Sequence, residues 1–271
     1  MNACTLLLFL SPFFSRLNNK RGAQCERQQW HSLVVLLSCL LPITGYAFSL
    51  NSTQKTTDAI NSQMNTLSLD EFNNMQRLPN KLKEFKDLEY LSANGNHITD
   101  LKVIQSLKQL RVLSINYTKV IDIEPLANLK NLQRLSLKGT KIFNIEPLST
   151  LFQLKTLSLY ATKVIDLKPL QALINLQSLN LGYLKVQNIS VLKNLKNLRN
   201  LNILHMPIAD YSFLSSLHNL QHLDVSYSKF TDFYRLLAMD NLQSLTIEMS
   251  QTIAAKVLDE KVKQGLKINF R

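Results

Sequence analysis

His222, Asp224 and Ser226 could in principle supply a base, an orienting carboxylate and a nucleophile. They alternate along one extended segment and so share a face. Side chains at i and i+2 of a strand stand about 6.5–7 Å apart, beyond the ~3 Å reach of a direct hydrogen bond. Nothing in the sequence encloses them, and catalysis is not expected there. Neither a glycine-rich phosphate loop nor a histidine cluster at metal-ligand spacing occurs. Cys4, Cys25 and Cys39 all lie near the start, so the rest of the chain has no thiolate for zinc and no disulfide. These residues predict a protein that is not an enzyme and carries no cofactor or metal.

Recognition is the chemistry that the remaining residues offer. Tyrosine, arginine and small polar side chains recur on one strand face, the mixture that contact surfaces favour. The candidate protein-binding residues are Tyr90, Asn116, Arg134, Lys138, Tyr160, Asn180, Asn202, Leu204, His222, Asp224 and Glu248, with Tyr117, Tyr183 and Tyr227 along one edge. Ser114, Ser136, Ser158, Ser226 and Thr246 lie between them, and His205 and Met249 extend the edge. The polarity grades from basic (Arg134, Lys138) to acidic (Asp224, Glu248). A second surface holds Lys119, Lys141, Lys163, Lys185 and Lys229, with Asp100, Asp122, Asp166, Asp210 and Asp232 in a parallel column. Interleaved opposite charges screen one another, so a solvated, neutralised face is expected there. The lysines lack the aromatic interleaving of a nucleic-acid groove, and no nucleic acid is expected as a partner.

These surfaces are placed by a phrase that returns every 22 residues, at Phe85, Leu107, Leu129, Leu151, Leu173, Leu195, Leu217 and Met239. One unit reads Leu129, Leu132, Leu135, Leu137, Thr140, Ile142, Ile145, Leu148. A fixed period of this length with this spacing is the signature of a leucine-rich repeat solenoid. The predicted fold is an α/β right-handed superhelix with a parallel concave β-sheet and a convex side of 3₁₀ pieces and turns. Within each unit the LxLx stretch alternates at period two and reads as a short strand. Pro125, Pro147 and Pro169 block a regular strand or a long helix on the return.

Helical caps are expected at both ends, because a solenoid must cover its terminal repeats. Leu69, Phe72, Met75 and Leu78 recur at helical spacing before the first unit. Thr252–Gln264 reads as an amphipathic helix through Ile253, Val257, Leu258 and Val262, ended by Gly265. Leu266, Ile268 and Phe270 then form a last strand. One turn column reads Asn96, Thr118, Thr140, Thr162, Leu184, Met206, Ser228, Ser250. Leu184 and Met206 cannot bond turn backbone, so looser turns are expected there.

Four segments follow: a leader over 1–47, an amino-terminal cap over 48–84, eight repeats over 85–249 and a carboxy-terminal cap over 250–271. Within the leader, Lys20, Arg21 and Arg27 precede the apolar run Ser32–Leu41, and Gly45-Tyr46-Ala47 offers a cleavage site before Phe48. Alternatives are an uncleaved anchor, with membrane contact through residues 32–48, a start further downstream (a second apolar run spans Thr5–Phe14) and lipidation at Cys39. The 271 residues carry a formal charge of +12; without 1–47, 27 basic and 18 acidic side chains leave +9. A basic balance favours anionic partners, among them acidic proteins, lipid headgroups and polysaccharides. Asn51, Asn116 and Asn188 begin N-x-S/T sequons, which matter only in a eukaryotic secretory pathway.

The units resemble the 22-residue bacterial repeats of internalin-type surface proteins. The likeness rests on Leu-Lys-Asn-Leu at 129–132 and 195–198 and on Ile-Glu-Pro-Leu at 123–126 and 145–148. The same repeat length occurs in phosphatase-1 regulatory-type proteins. The resemblance covers residues 85–249. It implies a monomer that binds a host or cell-envelope protein through its concave sheet, or else an intracellular scaffold, effector or phosphatase-regulator-like module. The immunoglobulin-like domain and sorting signal of wall-bound members are not found in this sequence, so a secreted or periplasmic product is expected.

Overall fold

The computed structural model describes residues 65–70 and 75–271. The expected leader, its cysteines and Phe72 lie outside these residues. Ten strands form one sheet in chain order, every neighbouring pair parallel. They are β1 (Thr66–Ser68), β2 (Tyr90–Ser92), β3 (Val112–Ser114), β4 (Arg134–Ser136), β5 (Thr156–Ser158), β6 (Ser178–Asn180), β7 (Asn200–Asn202), β8 (His222–Asp224), β9 (Ser244–Ile247) and β10 (Lys267–Phe270).

Alternation sets the core. Leu91, Leu113, Leu135 and Leu157 are cross-strand partners in turn, and Leu179, Leu201, Leu223 and Leu245 continue the ladder. All eight are at most 2% exposed. Burial of one such leucine is worth about 1.5–3 kcal/mol. On the return side each repeat makes a 3₁₀ turn, as at Glu124–Asn128, Glu146–Thr150 and Lys168–Ala172. Proline suits the start of these turns, where its missing N–H has no partner to lose. Leu126, Leu148 and Leu170 close the core from that side.

Among the described residues the acidic column makes no ion pair with the lysine column. Asp100, Asp122, Asp166 and Asp210 each accept the backbone N–H two residues on, at 2.7–2.9 Å, and so cap the 3₁₀ turns. Asn144 and Asn188 do the same at 2.9 and 3.0 Å. Ser212 donates both its backbone N–H and its hydroxyl to Asp210, which holds that carboxyl below the usual range. A second ladder runs along the opposite flank. The Asn131, Asn175, Asn197, Asn219 and Asn241 amides each donate to a backbone carbonyl of the preceding repeat at 2.8–2.9 Å.

The turn at Leu184 is not loosened. Leu184 N–H donates to Leu181 O at 3.1 Å, close to the 3.2 Å of the Thr140 and Thr162 turns. Leu184 and Met206 are buried, so they fill the turn with apolar volume where Thr118, Thr140 and Thr162 use a hydroxyl.

The described residues of the amino end open on a strand, and the helix expected at the carboxy end is present in broken form. At the amino end a strand, β1, stands where helical spacing begins, and a 3₁₀ turn, Asn80–Glu84, follows. The bare edge of β2 explains the strand, since Glu89 and Tyr90 N–H both donate to Asn65 O. At the carboxy end the helix is broken into Met249–Gln251, Thr252–Ala255, Lys256–Leu258 and Asp259–Lys263. Ala255 and Leu258 face the core, whereas Ile253 is 79% and Val262 42% exposed. Gly265, at φ +110°, turns the chain into β10.

Leu157→Ala removes a fully packed side chain from the middle of the ladder. It is expected to lower stability by about 2–5 kcal/mol in chemical denaturation.

Candidate functional site

The sheet exit of each repeat needs a left-handed residue. Gly95 and Gly139 meet that need without strain, but Tyr117, Ala161, Tyr183, His205 and Tyr227 also hold φ between 53° and 64°. The left-handed conformation costs an L-residue with a Cβ roughly 1–2 kcal/mol. The neighbouring repeat enforces it. Tyr117 N–H donates to Lys138 O at 2.6 Å, Tyr183 N–H to Leu204 O at 3.0 Å and His205 N–H to Ser226 O at 2.9 Å. Strained backbone of this kind gathers at functional sites.

The strain sets large side chains on one edge of the sheet. Tyr117 is 59%, Tyr183 41% and Tyr227 46% exposed. Tyr183 meets Tyr160 edge-on at 5.3 Å and lies 4.8 Å from the His205 ring. The Lys138 ammonium stands 5.0 Å from the Tyr160 ring centre, within cation–π range. Burial first, and then the neighbouring Tyr183 and Tyr117 phenols, raise the Tyr160 pKa, so it remains a hydrogen-bond donor at neutral pH. Glycine makes room for this packing. A Cβ on Gly139 would fall 2.4 Å from Tyr117, and one on Gly182 3.1 Å from Tyr160 and 3.2 Å from Leu204.

The sheet face itself is tied together by side chains. Asp70 accepts from the Ser92 hydroxyl and Asn94 N–H, Asn94 from the Ser114 hydroxyl and Asn116 N–H, and Asn116 from the Ser136 hydroxyl and Lys138 N–H, all at 2.6–2.9 Å. Lys138 then takes the place of the next Asn and offers no acceptor. The Ser158 hydroxyl is accordingly buried without a partner. Beyond it, Asn180 accepts the Gly182 N–H and Asn202 the Leu204 N–H, both at 3.1 Å. A shallow polar groove crosses this second half, lined by Ser178, Asn180, Asn200, Asn202, His222 and Asp224.

Several expected contact residues are thus engaged within the fold. Leu204 is 3% exposed, because it fills the space beside Gly182. Asp224 is 8% exposed and accepts from Asn202, from the Ser226 N–H and hydroxyl, and from the Arg271 guanidinium at 3.2 Å. Glu248 forms a capping box with Gln251. Asn116, Asn180 and Asn202 are half-buried in the ladder. Tyr90 is half-buried, and Arg134 and His222 are exposed. Ser226 is fully buried and its hydroxyl lies 2.6 Å from Asp224, closer than strand spacing implies, because the chain has left β8 by that point. That hydroxyl is therefore spent on the carboxylate. Among the described residues no group of His, Cys, Asp or Glu could hold a metal ion.

The repeated parallel strands, 3₁₀ returns and polar ladders define a leucine-rich repeat protein. A family model described as leucine-rich repeats (two copies) matches residues 108–151. Within that class the chain is internalin-like. It is similar to internalin C2 of Listeria monocytogenes, at 28% identity and a TM-score of 0.66 over 70% of this chain and 83% of the other. Two further structures share the fold. An internalin of L. monocytogenes, inlF, is 20% identical over 90% of each chain, with a TM-score of 0.50. A leucine-rich repeat protein of Leptospira interrogans is 24% identical with a TM-score of 0.62, and the match covers 73% of this chain and 52% of that one. No curated protein matches the chain in sequence.

Ser136→Ala breaks the ladder, whereas Ser158→Ala removes a buried hydroxyl that has no partner. The first is expected to lower stability by about 1 kcal/mol and the second to leave it unchanged or raise it, as read by thermal melting.

Proposed function

We propose that the chain is an exported, non-enzymatic, monomeric leucine-rich repeat protein. It binds one partner protein through its concave sheet, with Lys138, Tyr160, Tyr183 and His205 as the centre of contact. Leucine-rich repeat domains typically bind proteins, and the strained aromatic edge is the observation that carries the placement. Tyr117, Tyr183 and His205 sit on backbone locked by the next repeat, so little entropy is lost when a partner arrives. The partner presents carbonyl or carboxylate acceptors to the tyrosine hydroxyls and Arg134. Export is supported by the basic stretch, apolar run and small-residue site before Phe48.

Tyr183→Ala and Tyr160→Ala are each expected to weaken capture of a partner from cell-envelope or host extracts by tenfold or more, about 1.4 kcal/mol, with a small fall in melting temperature from the lost ring contacts and the native fold retained by circular dichroism. Equal capture by both variants and the native protein would move the contact elsewhere. Amino-terminal sequencing of the secreted product is expected to begin at Phe48, and an intact leader would favour the anchored or intracellular alternative.

A further inference from the structure

A second surface lies on the descending flank, away from the sheet face. Here the chain is extended, and buried Val120, Ile142 and Val164 alternate with outward residues on both sides. Successive repeats are tied together at this point. Lys119 N–H donates to Ile98 O, Lys141 N–H to Val120 O and Lys163 N–H to Ile142 O, at 2.9–3.0 Å. That bonding holds two straight rows in register. One row is apolar, with Ile121 50%, Phe143 59% and Ile165 73% exposed. The other is Lys119, Lys141, Lys163 and Lys185, all exposed.

Three bulky apolar side chains stacked in an exposed line are not needed by the core, which Val120, Ile142 and Val164 already fill. The lysines beside them form no ion pair among the described residues. The carboxylates nearest in sequence, Asp122 and Asp166, are turned to the backbone of their own 3₁₀ turns. At the other two positions of that column, beside Lys141 and Lys185, the cap is made by Asn144 and Asn188, which keeps the hydrogen bond and omits the negative charge.

We propose that this flank docks on an anionic lipid surface, with Ile121, Phe143 and Ile165 entering the headgroup–acyl boundary and the lysine row meeting lipid phosphates. The charge complementarity is that of a juxtamembrane basic stripe, and an apolar row backed by lysine is the pattern of interfacial binding. Protein interfaces, by contrast, are enriched in arginine and depleted in lysine. The rows offer no fixed polar geometry for a protein to read, whereas a fluid headgroup layer demands none.

The test is flotation of the full chain with phosphatidylcholine vesicles, with and without phosphatidylglycerol. The native protein should bind the anionic vesicles more tightly, and more weakly as salt rises. Lys141→Gln/Lys163→Gln should lower that affinity by roughly tenfold or more and reduce the anionic preference. Phe143→Ser/Ile165→Ser should weaken binding with no change in melting, since both side chains are exposed. Tyr160→Ala should float like the native protein, which separates this flank from the concave contact. Equal binding of native protein to both vesicle types, or native-like flotation of both double variants, would overturn the proposal. So would a concentration-dependent dimer abolished by Phe143→Ser/Ile165→Ser, because the row would then belong to a second copy.

Discussion

The ladder of inward leucines constrains everything else in this molecule. Parallel strands stack about 4.8 Å apart, and each core position must meet its own equivalent in the next repeat. A repeat cannot bury its apolar face alone. Once the leucines are in register, every other position is stacked as well, whatever its chemistry. Columns of asparagine, aspartate, threonine, lysine and tyrosine all follow from that single requirement. Some columns become bonding ladders and the rest become surfaces.

Backbone strain is distributed by the same constraint. The tight exit from each strand sets a left-handed residue at one position per repeat, and glycine fills it at Gly95 and Gly139. Tyrosine or histidine fills it in four other repeats, against local preference. The loss is offset by the backbone bond to the following repeat and by ring contacts such as Tyr183 on His205. The result is a line of large side chains whose positions are set by backbone rather than by loop packing.

Much of this was legible in the residues, and the failures have physical reasons. Period-two leucines identify strands because each strand buries one face only. The prolines indicate the 3₁₀ returns because they forbid the alternatives. The turn-bonding role of the aspartates was missed because a surface carboxylate and a turn cap look alike in sequence. The available signal was the exchange of Asp for Asn at 144 and 188, which preserves an acceptor oxygen and discards the charge. The burial of Asp224 and Leu204 was not legible, since it depends on Asn202, Arg271 and Gly182 reaching across from other strands. At the ends, neighbours rather than helical spacing decided the outcome: the open edge of β2 drew in β1, and the final repeat buried Ala255 and Leu258 while leaving Ile253 in water.

The substitution of Lys138 into the acceptor column divides the sheet into two cooperative blocks. On one side, residues 70–138 are cross-linked from repeat to repeat by shared side-chain acceptors. On the other, Asn180 bonds within its own repeat, and Asn202 accepts within its own while donating across to Asp224. Between them no shared side-chain acceptor joins β4 to β5, and backbone bonds, the leucines and the Lys138–Tyr160 contact hold them together. Native-state opening in a one-dimensional array starts at its weakest junction. Side-chain cross-linking stops at Lys138, and amide hydrogen exchange is expected to show β1–β4 opening as one cooperative block.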